Sequence, residues 1–148
     1  MKLKATLLSL FVLFLFAACE EENHADWKIL NDKKFALETQ NVKYTKSDNG
    51  LLFEILYPGN MKQANVNSYV VVKYKGTLAS GKIFDEGTYN GYLSSTIRGW
   101  QQTVPLLRIG GKMNIVVPQE LAYGKNGSGV IPPYSMLYFE IELLEAYN

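Results

Sequence analysis

Cysteine and histidine are nearly absent from this sequence, which has one residue of each among 148. One cysteine excludes an internal disulfide framework and any metal site built from several cysteines. One histidine excludes zinc motifs that need two. Fifteen Lys and Arg oppose fourteen Asp and Glu, so the net charge of +1 offers no basic field for nucleic acid. We therefore expect neither a metal, nor a cofactor, nor a nucleic-acid partner.

Long apolar runs are confined to the first nineteen residues. Lys2 and Lys4 precede the almost purely apolar segment 7–16, which is too short to span a bilayer of about 30 Å as a helix. A basic start, a short apolar stretch and small residues are typical of a secretory signal. Residues 16–19 (Phe-Ala-Ala-Cys) resemble the lipobox of bacterial lipoproteins, in which the cysteine is lipidated. We predict a lipoprotein signal over 1–18 and lipidation at Cys19; the alternative is an ordinary signal peptide with an incidental cysteine.

Residues 19–25 are predicted to form a tether between the anchor and the folded part. Without residues 1–18 the net charge becomes −1, because Lys2 and Lys4 are lost. The acidic run 20–22 favours a solvated tether, although it also resembles a surface-export signal of some lipoproteins. The single histidine, His24, lies in this tether and is interpreted as incidental.

The remaining chain has the length and the 47% hydrophobic content of one globular domain. Residues 26–39 contain helix formers and neither Gly nor Pro, so they predict a helix with an apolar stripe of Trp27, Leu30 and Ala36/Leu37. Alternation and β-branched residues predict strands, and one short helix is expected at 101–107, restricted by Pro105. The predicted strands are 51–57, 68–78, 82–84, 112–117 and 136–145, and the predicted loops are 87–95, with at most a short strand, and 121–133. The sum is an α+β domain with an antiparallel sheet of about five strands.

Aromatic residues are concentrated in the second half of the chain and come from five different segments: Tyr74, Phe84, Trp100, Tyr123 and Phe139. Each of them alone is best explained as a core residue. Together with Asp85, which follows Phe84, they could also line an apolar pocket with a few polar tips.

Six motifs in consistent order resemble the FK506-binding-protein family of peptidyl-prolyl cis-trans isomerases. They are 72–78 (VKYKGTL), 81–85 (GKIFD), 97–100 (IRGW), 122–124 (AYG), 130–133 (VIPP) and 137–144 (LYFEIELL). The resemblance extends from about Leu51 to Glu145, and the helix before it resembles the N-terminal extension of lipoprotein members. It implies a curved antiparallel sheet wrapped around one short helix.

The resemblance also implies a role for each matching residue. Trp100 would form the floor of a prolyl pocket, and the Ile97 N–H would hold a substrate carbonyl. Asp85 would face the twisting peptide bond, and Tyr123 would offer its hydroxyl. Tyr74, Phe84, Ile97 and Phe139 would be the walls, while Thr96, Ile131 and Tyr92 would form the rim.

Residues 86–96 depart from the family pattern, because they are fewer than in many members and lack a Phe-rich strand and a basic partner for Asp85. Tyr89 or Tyr92 could replace the missing wall. The compact segment 125–129 departs as well. Both features bear on substrate preference and on affinity for FK506-like macrolides more than on the fold.

These observations predict a signal over 1–18, a tether over 19–25, a helix and linker over 26–45, and an isomerase domain over 46–148. The expected function is prolyl isomerisation that assists the folding of exported proteins at the bacterial envelope, facing the periplasm or the cell surface. The expected partners are proline-containing polypeptides, FK506-like macrolides and, through the lipid, a membrane. The alternative is an inactive or weakly active peptide-binding or chaperone module. A monomer is expected, with dimerisation through 26–39 as the alternative.

Overall fold

The computed structural model describes residues 24–148, so the predicted signal at 1–18 and the lipidation site Cys19 lie outside the described residues. The described chain begins in helix α1, which is helical over 24–38. The strands are β1 (Thr45–Lys46), β2 (Leu52–Tyr57), β3 (Tyr69–Leu78), β4 (Ile83–Tyr92), β5 (Lys112–Val117) and β6 (Leu137–Tyr147), and the second helix is α2 (Arg98–Thr103). Among these elements no helix is long and apolar enough to cross a membrane.

One six-stranded sheet in the order β1-β2-β5-β6-β3-β4 forms the frame of the domain. Each neighbouring pair is antiparallel. The predicted α+β class, with an antiparallel sheet and one short helix within the domain, is confirmed. The closing strand alternates as predicted, since Leu137, Phe139, Ile141 and Leu143 are all buried.

Two predicted elements are wrong in their bounds. The segment 87–95, predicted as a loop with at most a short strand, instead continues the ten-residue β4 as far as Tyr92, because an edge strand tolerates the polar side chains that made this segment look like a loop. The short helix begins at Arg98 rather than at 101 and ends at Thr103. Pro105 cannot continue the α-helical hydrogen bonds, and Val104–Leu106 form a single 3-10 turn.

The inner face of the sheet carries the main core and is covered by α2. Alternate residues of β3 and β6, such as Val72, Leu137 and Leu143, are fully buried there together with Ile115 of β5. Trp100 of α2 packs into the same cluster. The period-2 pattern of each strand therefore selects the face on which α2 lies.

The outer face carries a smaller cluster that is covered by α1. Leu52, Val116 and Met136 are buried there, and Trp27 and Phe35 of α1 pack against them. The predicted apolar stripe of α1 is wrong apart from Trp27, since Leu30, Ala36 and Leu37 are exposed. The helix face that packs on the sheet instead contains two hydrogen-bonded polar residues, Asn31 and Glu38, which an apolar periodicity does not reveal.

Candidate functional site

A bulge in β4 brings Phe84 and Asp85 to one end of the sheet. Gly76 of β3 pairs with Asp85 and Thr77 pairs with Ile83, so Phe84 has no partner of its own in the register. Such a bulge re-aims side chains at a sheet edge. The Phe84 ring lies directly over Gly76, where a methyl group would overlap its atoms. A larger residue at position 76 would therefore displace this ring.

Helix α2 carries Trp100 against the inner face of the sheet. Gly99 allows this approach, because a Cβ at that position would lie 2.6 Å from Cγ1 of Val117. The Gln101 side chain fixes the preceding turn by donating to the carbonyl oxygens of Ser94 (3.1 Å) and Thr96 (2.7 Å). The helix and the turn that leads into it are thus held as one unit.

Trp100 is the centre of an aromatic cluster and is only 5% exposed. Its ring meets those of Tyr74, Phe139 and Tyr89 edge to face, with centroids 5.2, 5.4 and 6.0 Å away. Phe84 meets Phe139 in the same manner at 5.6 Å. Such edge-to-face pairs contribute about 0.5–1.5 kcal/mol each beyond the area that they bury. The result is an apolar floor with fixed ring orientations.

The polar groups of the site come together at Asp85. The Tyr74 hydroxyl donates to Oδ2 of Asp85 at 2.6 Å. Burial and this hydrogen bond raise the pKa of Tyr74 to about 12. Burial, followed by the charge of Asp85, also raises the pKa of Tyr123. Both phenols are therefore neutral donors at physiological pH, and Tyr74 takes the place of the basic partner that Asp85 lacks in the sequence.

Two further donors border the same space. Ile97 is extended at the start of α2, and its N–H has no acceptor within residues 24–148. Tyr123 is 39% exposed, and its hydroxyl likewise makes no hydrogen bond in the described part of the chain. Both groups are thus available to a ligand that enters from solvent.

A cavity of about 530 Å³ joins these residues, within the usual size range of small-molecule sites. The structure brings eight of the ten predicted pocket residues to its lining: Tyr74, Phe84, Asp85, Thr96, Ile97, Trp100, Tyr123 and Phe139. Sequence reasoning left out Ser95, Arg98 and Ala122, which also line it. Arg98 and Ala122 belong to two of the ordered motifs but were given no role there, and Ser95 lies outside the motifs.

The other two predicted rim residues do not line the cavity. Ile131 is 6% exposed and belongs to the main core cluster with Trp100. Tyr92 is 58% exposed and packs against Tyr69, with ring centroids 5.4 Å apart. Of the two candidates for the missing wall, the structure brings Tyr89 to the cavity, where its ring meets that of Trp100.

Two grooves on the outer face of the sheet, of about 500 and 470 Å³, are different in character. Charged side chains there pair across strands, as in Lys75 with Glu140 at 2.9 Å and Lys112 with Glu142 at 3.3 Å. Exposed pairs of this kind contribute little to stability. Because the positive and negative side chains neutralise each other, they do not offer a ligand a patch of one charge. The aromatic cavity is therefore the candidate site.

Curated relatives share much of this sequence. The FKBP-type peptidyl-prolyl cis-trans isomerase FkpA of Escherichia coli strain K12 is 41% identical over 118 residues, or 76% of this chain and 43% of that protein. The peptidyl-prolyl cis-trans isomerase Mip of Coxiella burnetii is 36% identical over 102 residues, or 65% of this chain and 44% of that protein. The chain thus spans less than half the length of these two relatives.

Solved structures share the fold. The crystal structure of FkpA from Escherichia coli superposes with a TM-score of 0.84 at 32% identity, covering 94% of this chain and 69% of that one. A peptidyl-prolyl cis-trans isomerase from Pseudomonas syringae pv. tomato gives 0.75 at 32% identity, covering 84% and 96%. A family model described as FKBP-type peptidyl-prolyl cis-trans isomerase matches residues 60–144. The matched range includes every residue that lines the aromatic cavity. This chain belongs to the FKBP-type peptidyl-prolyl cis-trans isomerase family.

Proposed function

We propose that this protein catalyses the cis–trans isomerisation of X–Pro bonds in polypeptides. The observation that carries the proposal is the cavity with Trp100 as its floor and Asp85 and Tyr123 at its edge. A prolyl ring fits an apolar aromatic floor, and the peptide groups beside it need the few polar partners that the edge provides. The family to which the chain belongs supports the same activity.

The reaction is a rotation about a C–N bond that resonance opposes with a barrier of ~18–20 kcal/mol. Twisting the bond removes the resonance and reduces charge separation, so the twisted bond is favoured by surroundings less polar than water. A pocket that grips the prolyl ring and binds the twisted form better than either planar form accelerates the rotation. Proline is the natural target because its cis form is populated but exchanges only over tens to hundreds of seconds.

The residues divide this work by position. Trp100, Phe139 and Phe84 hold the prolyl ring, and the Ile97 N–H binds a substrate carbonyl oxygen. Asp85, held in one orientation by the Tyr74 hydroxyl, faces the rotating amide. The Tyr123 hydroxyl completes the edge from the opposite loop.

The test is an isomerisation assay on a short prolyl peptide with the purified full-length chain in mild detergent. We expect Asp85→Val to lower kcat/KM about tenfold or more, the effect of losing a charged hydrogen-bonding group. Trp100→Leu should lower it further, since the floor of the pocket is removed. Glu86→Val is the matched control for Asp85→Val, because Glu86 is exposed on the same strand and does not line the cavity.

Circular dichroism should show that the variants remain folded. If wild type and control show no rate above background but still bind the peptide, the protein is a binding or chaperone module and the proposed activity is wrong. If both pocket variants keep full activity, the proposed site is wrong.

A second ligand for the same pocket is a macrolide of the FK506 kind, as the family resemblance implies. The ligand would compete with the prolyl peptide for Trp100 and the rings around it. Addition of the macrolide to the wild-type assay should lower the rate in proportion to its occupancy. An unchanged rate at saturating macrolide would restrict the pocket to peptides.

We also propose that the protein works at the bacterial envelope, held to a membrane by a lipid on Cys19. The support is the pattern of residues 2–19 and the presence of this single cysteine at the position that lipidation needs. Because each buried CH₂ contributes about 0.8 kcal/mol, several acyl chains would anchor the domain stably. Palmitate labelling of wild type, and its absence in Cys19→Ser, is the expected outcome; equal labelling of both contradicts the assignment. The clients would be exported proteins that contain proline.

A monomer is the assembly that we propose, since the packed face of α1 lies on the sheet of its own chain. The alternative, a dimer through 26–39, rests on the exposure of Ile29, Leu30 and Leu37. Sedimentation of the purified chain in detergent, corrected for bound detergent, distinguishes the two masses. A dimer mass that Leu37→Glu converts to a monomer mass would establish the alternative.

A further inference from the structure

Helix α1 contacts three consecutive residues of the segment that leads into β6. Lys28 lies over the Tyr134 ring, with Nζ 5.9 Å from its centroid. The Trp27 indole N–H donates to Oγ of Ser135 at 2.9 Å. The contacts therefore run along residues 134–136 rather than meeting the segment at one point.

Asn31 makes the most buried of these contacts and is only 2% exposed. Its Oδ1 accepts the N–H of Met136 at 3.0 Å, and its Nδ2 donates to the Trp27 carbonyl oxygen at 2.7 Å. A buried side-chain amide whose oxygen and nitrogen are both hydrogen-bonded has a fixed orientation, because a buried polar group without a hydrogen bond is energetically costly. Asn31 thus fixes the position of Met136 relative to α1.

The same segment is bonded to the loop that carries Tyr123. The N–H of Tyr134 donates to the Gly124 carbonyl oxygen at 2.9 Å. Tyr134 has φ of +61°, a left-handed conformation that a bulky residue adopts only when its surroundings hold it there. Ser135 in turn donates to the Pro132 carbonyl oxygen at 2.7 Å. Residues 134–136 are therefore bonded on one side to α1, through Ser135 and Met136, and on the other to Gly124, next to Tyr123, through Tyr134.

We propose that Trp27 and Asn31 are positioning residues for the isomerase pocket. They hold 134–136 in place from the outer face of the sheet, and this segment holds Tyr123 at the edge of the cavity on the inner face. The inference rests on the proposed function, since it assigns to Tyr123 a contact with substrate. It predicts that α1 affects substrate binding although it does not line the pocket.

The test compares Asn31→Leu with Lys33→Leu, the same new side chain on the exposed side of the same helix. We expect Asn31→Leu to raise KM and peptide Kd about fivefold, comparable to the loss of one net hydrogen bond, with kcat changed little. Amide hydrogen exchange of Tyr134 should accelerate in this variant, while the amides of β3 and β6 remain protected. Lys33→Leu should match wild type in every measurement.

Trp27→Phe is the second variant, because it keeps an aromatic ring on the cluster while removing the N–H that reaches Ser135 and part of the indole packing. It should show the same shift to a smaller extent. A general loss of stability would accelerate exchange throughout the sheet without changing the KM of the folded fraction.

The outcomes separate this inference from the proposed activity. If wild type isomerises the peptide and Asn31→Leu and Trp27→Phe keep both wild-type KM and wild-type exchange at Tyr134, the positioning role is overturned. If wild type is inactive, the proposed function is wrong. The positioning role is then tested only by the peptide Kd and by amide hydrogen exchange at Tyr134, and wild-type values of both in the variants would overturn it.

Discussion

The two faces of the sheet are held by different kinds of contact. On the inner face, α2 is joined to the sheet by packed rings and aliphatic side chains around Trp100. On the outer face, α1 combines a small apolar cluster with directional hydrogen bonds from Trp27, Asn31 and Glu38. Apolar packing creates a dry, rigid site for the reaction. Directional bonds determine where the outer helix lies and which segment it restrains.

The largest difference between the faces is expected for two leucines that are both fully buried. Leu137→Ala, in the main core, should lower the free energy of unfolding by about 4 kcal/mol. Leu52→Ala, beneath α1, should cost only about 2–3 kcal/mol, because a helix that packs on a small cluster can move to fill the cavity. Urea unfolding of both variants measures this difference. Equal costs would mean that α1 is as rigidly packed as the main core.

A smaller effect on stability, but a large one on the site, is expected for Gly76→Ala. The new methyl group would displace the Phe84 ring from the pocket wall. We expect a cost of about 1–3 kcal/mol from the forced rearrangement, together with a higher KM for the prolyl peptide. Thr88→Ala on the exposed side of β4 is the control and should alter neither. A wild-type KM in Gly76→Ala would show that the Phe84 ring is not a wall that substrate contacts.

The smallest expected effect is on the free energy of unfolding at alkaline pH, through Tyr74 on the inner face. Tyr74 has a pKa raised from 10.0 to about 12 in the folded state, so between these values the unfolded chain loses a proton that the folded chain keeps. The free energy of unfolding of wild type should therefore fall with pH in that window relative to Tyr74→Phe. Unfolding of both proteins from about pH 8 to about pH 12 measures the difference. A constant difference would mean that burial and the bond to Asp85 do not raise the pKa of the Tyr74 hydroxyl in the folded protein.

Much of the inner face could be predicted from the sequence. Alternation identified the core positions of β3 and β6, and the ordered motifs singled out Trp100 and Asp85. The local sequence pattern gave a wrong prediction at the edge strand β4, where polar side chains are tolerated. The polar residues after Gly87 looked like a loop, yet they pair with β3 along one side. The choice between Tyr89 and Tyr92 likewise depended on the register of β4.

The outer face could be predicted only in part, although a helix near 26–39 was clear from composition. Leu30 and Leu37 had the expected spacing but are exposed, while Asn31 is buried. Its partner, Met136, is 105 residues away in the chain. Hydrogen bonds between such distant residues leave no periodic signal.

Local periodicity and ordered motifs were sufficient to predict the class of the fold, the family and most of the aromatic residues at the site. The tertiary structure alone decided that Phe84 and Asp85 share one bulge, that Tyr74 is the partner of Asp85, and that α1 bonds to 134–136. These features arise from strand register and from contacts between distant segments. Their energies depend on distances and angles that exist only once the sheet has formed.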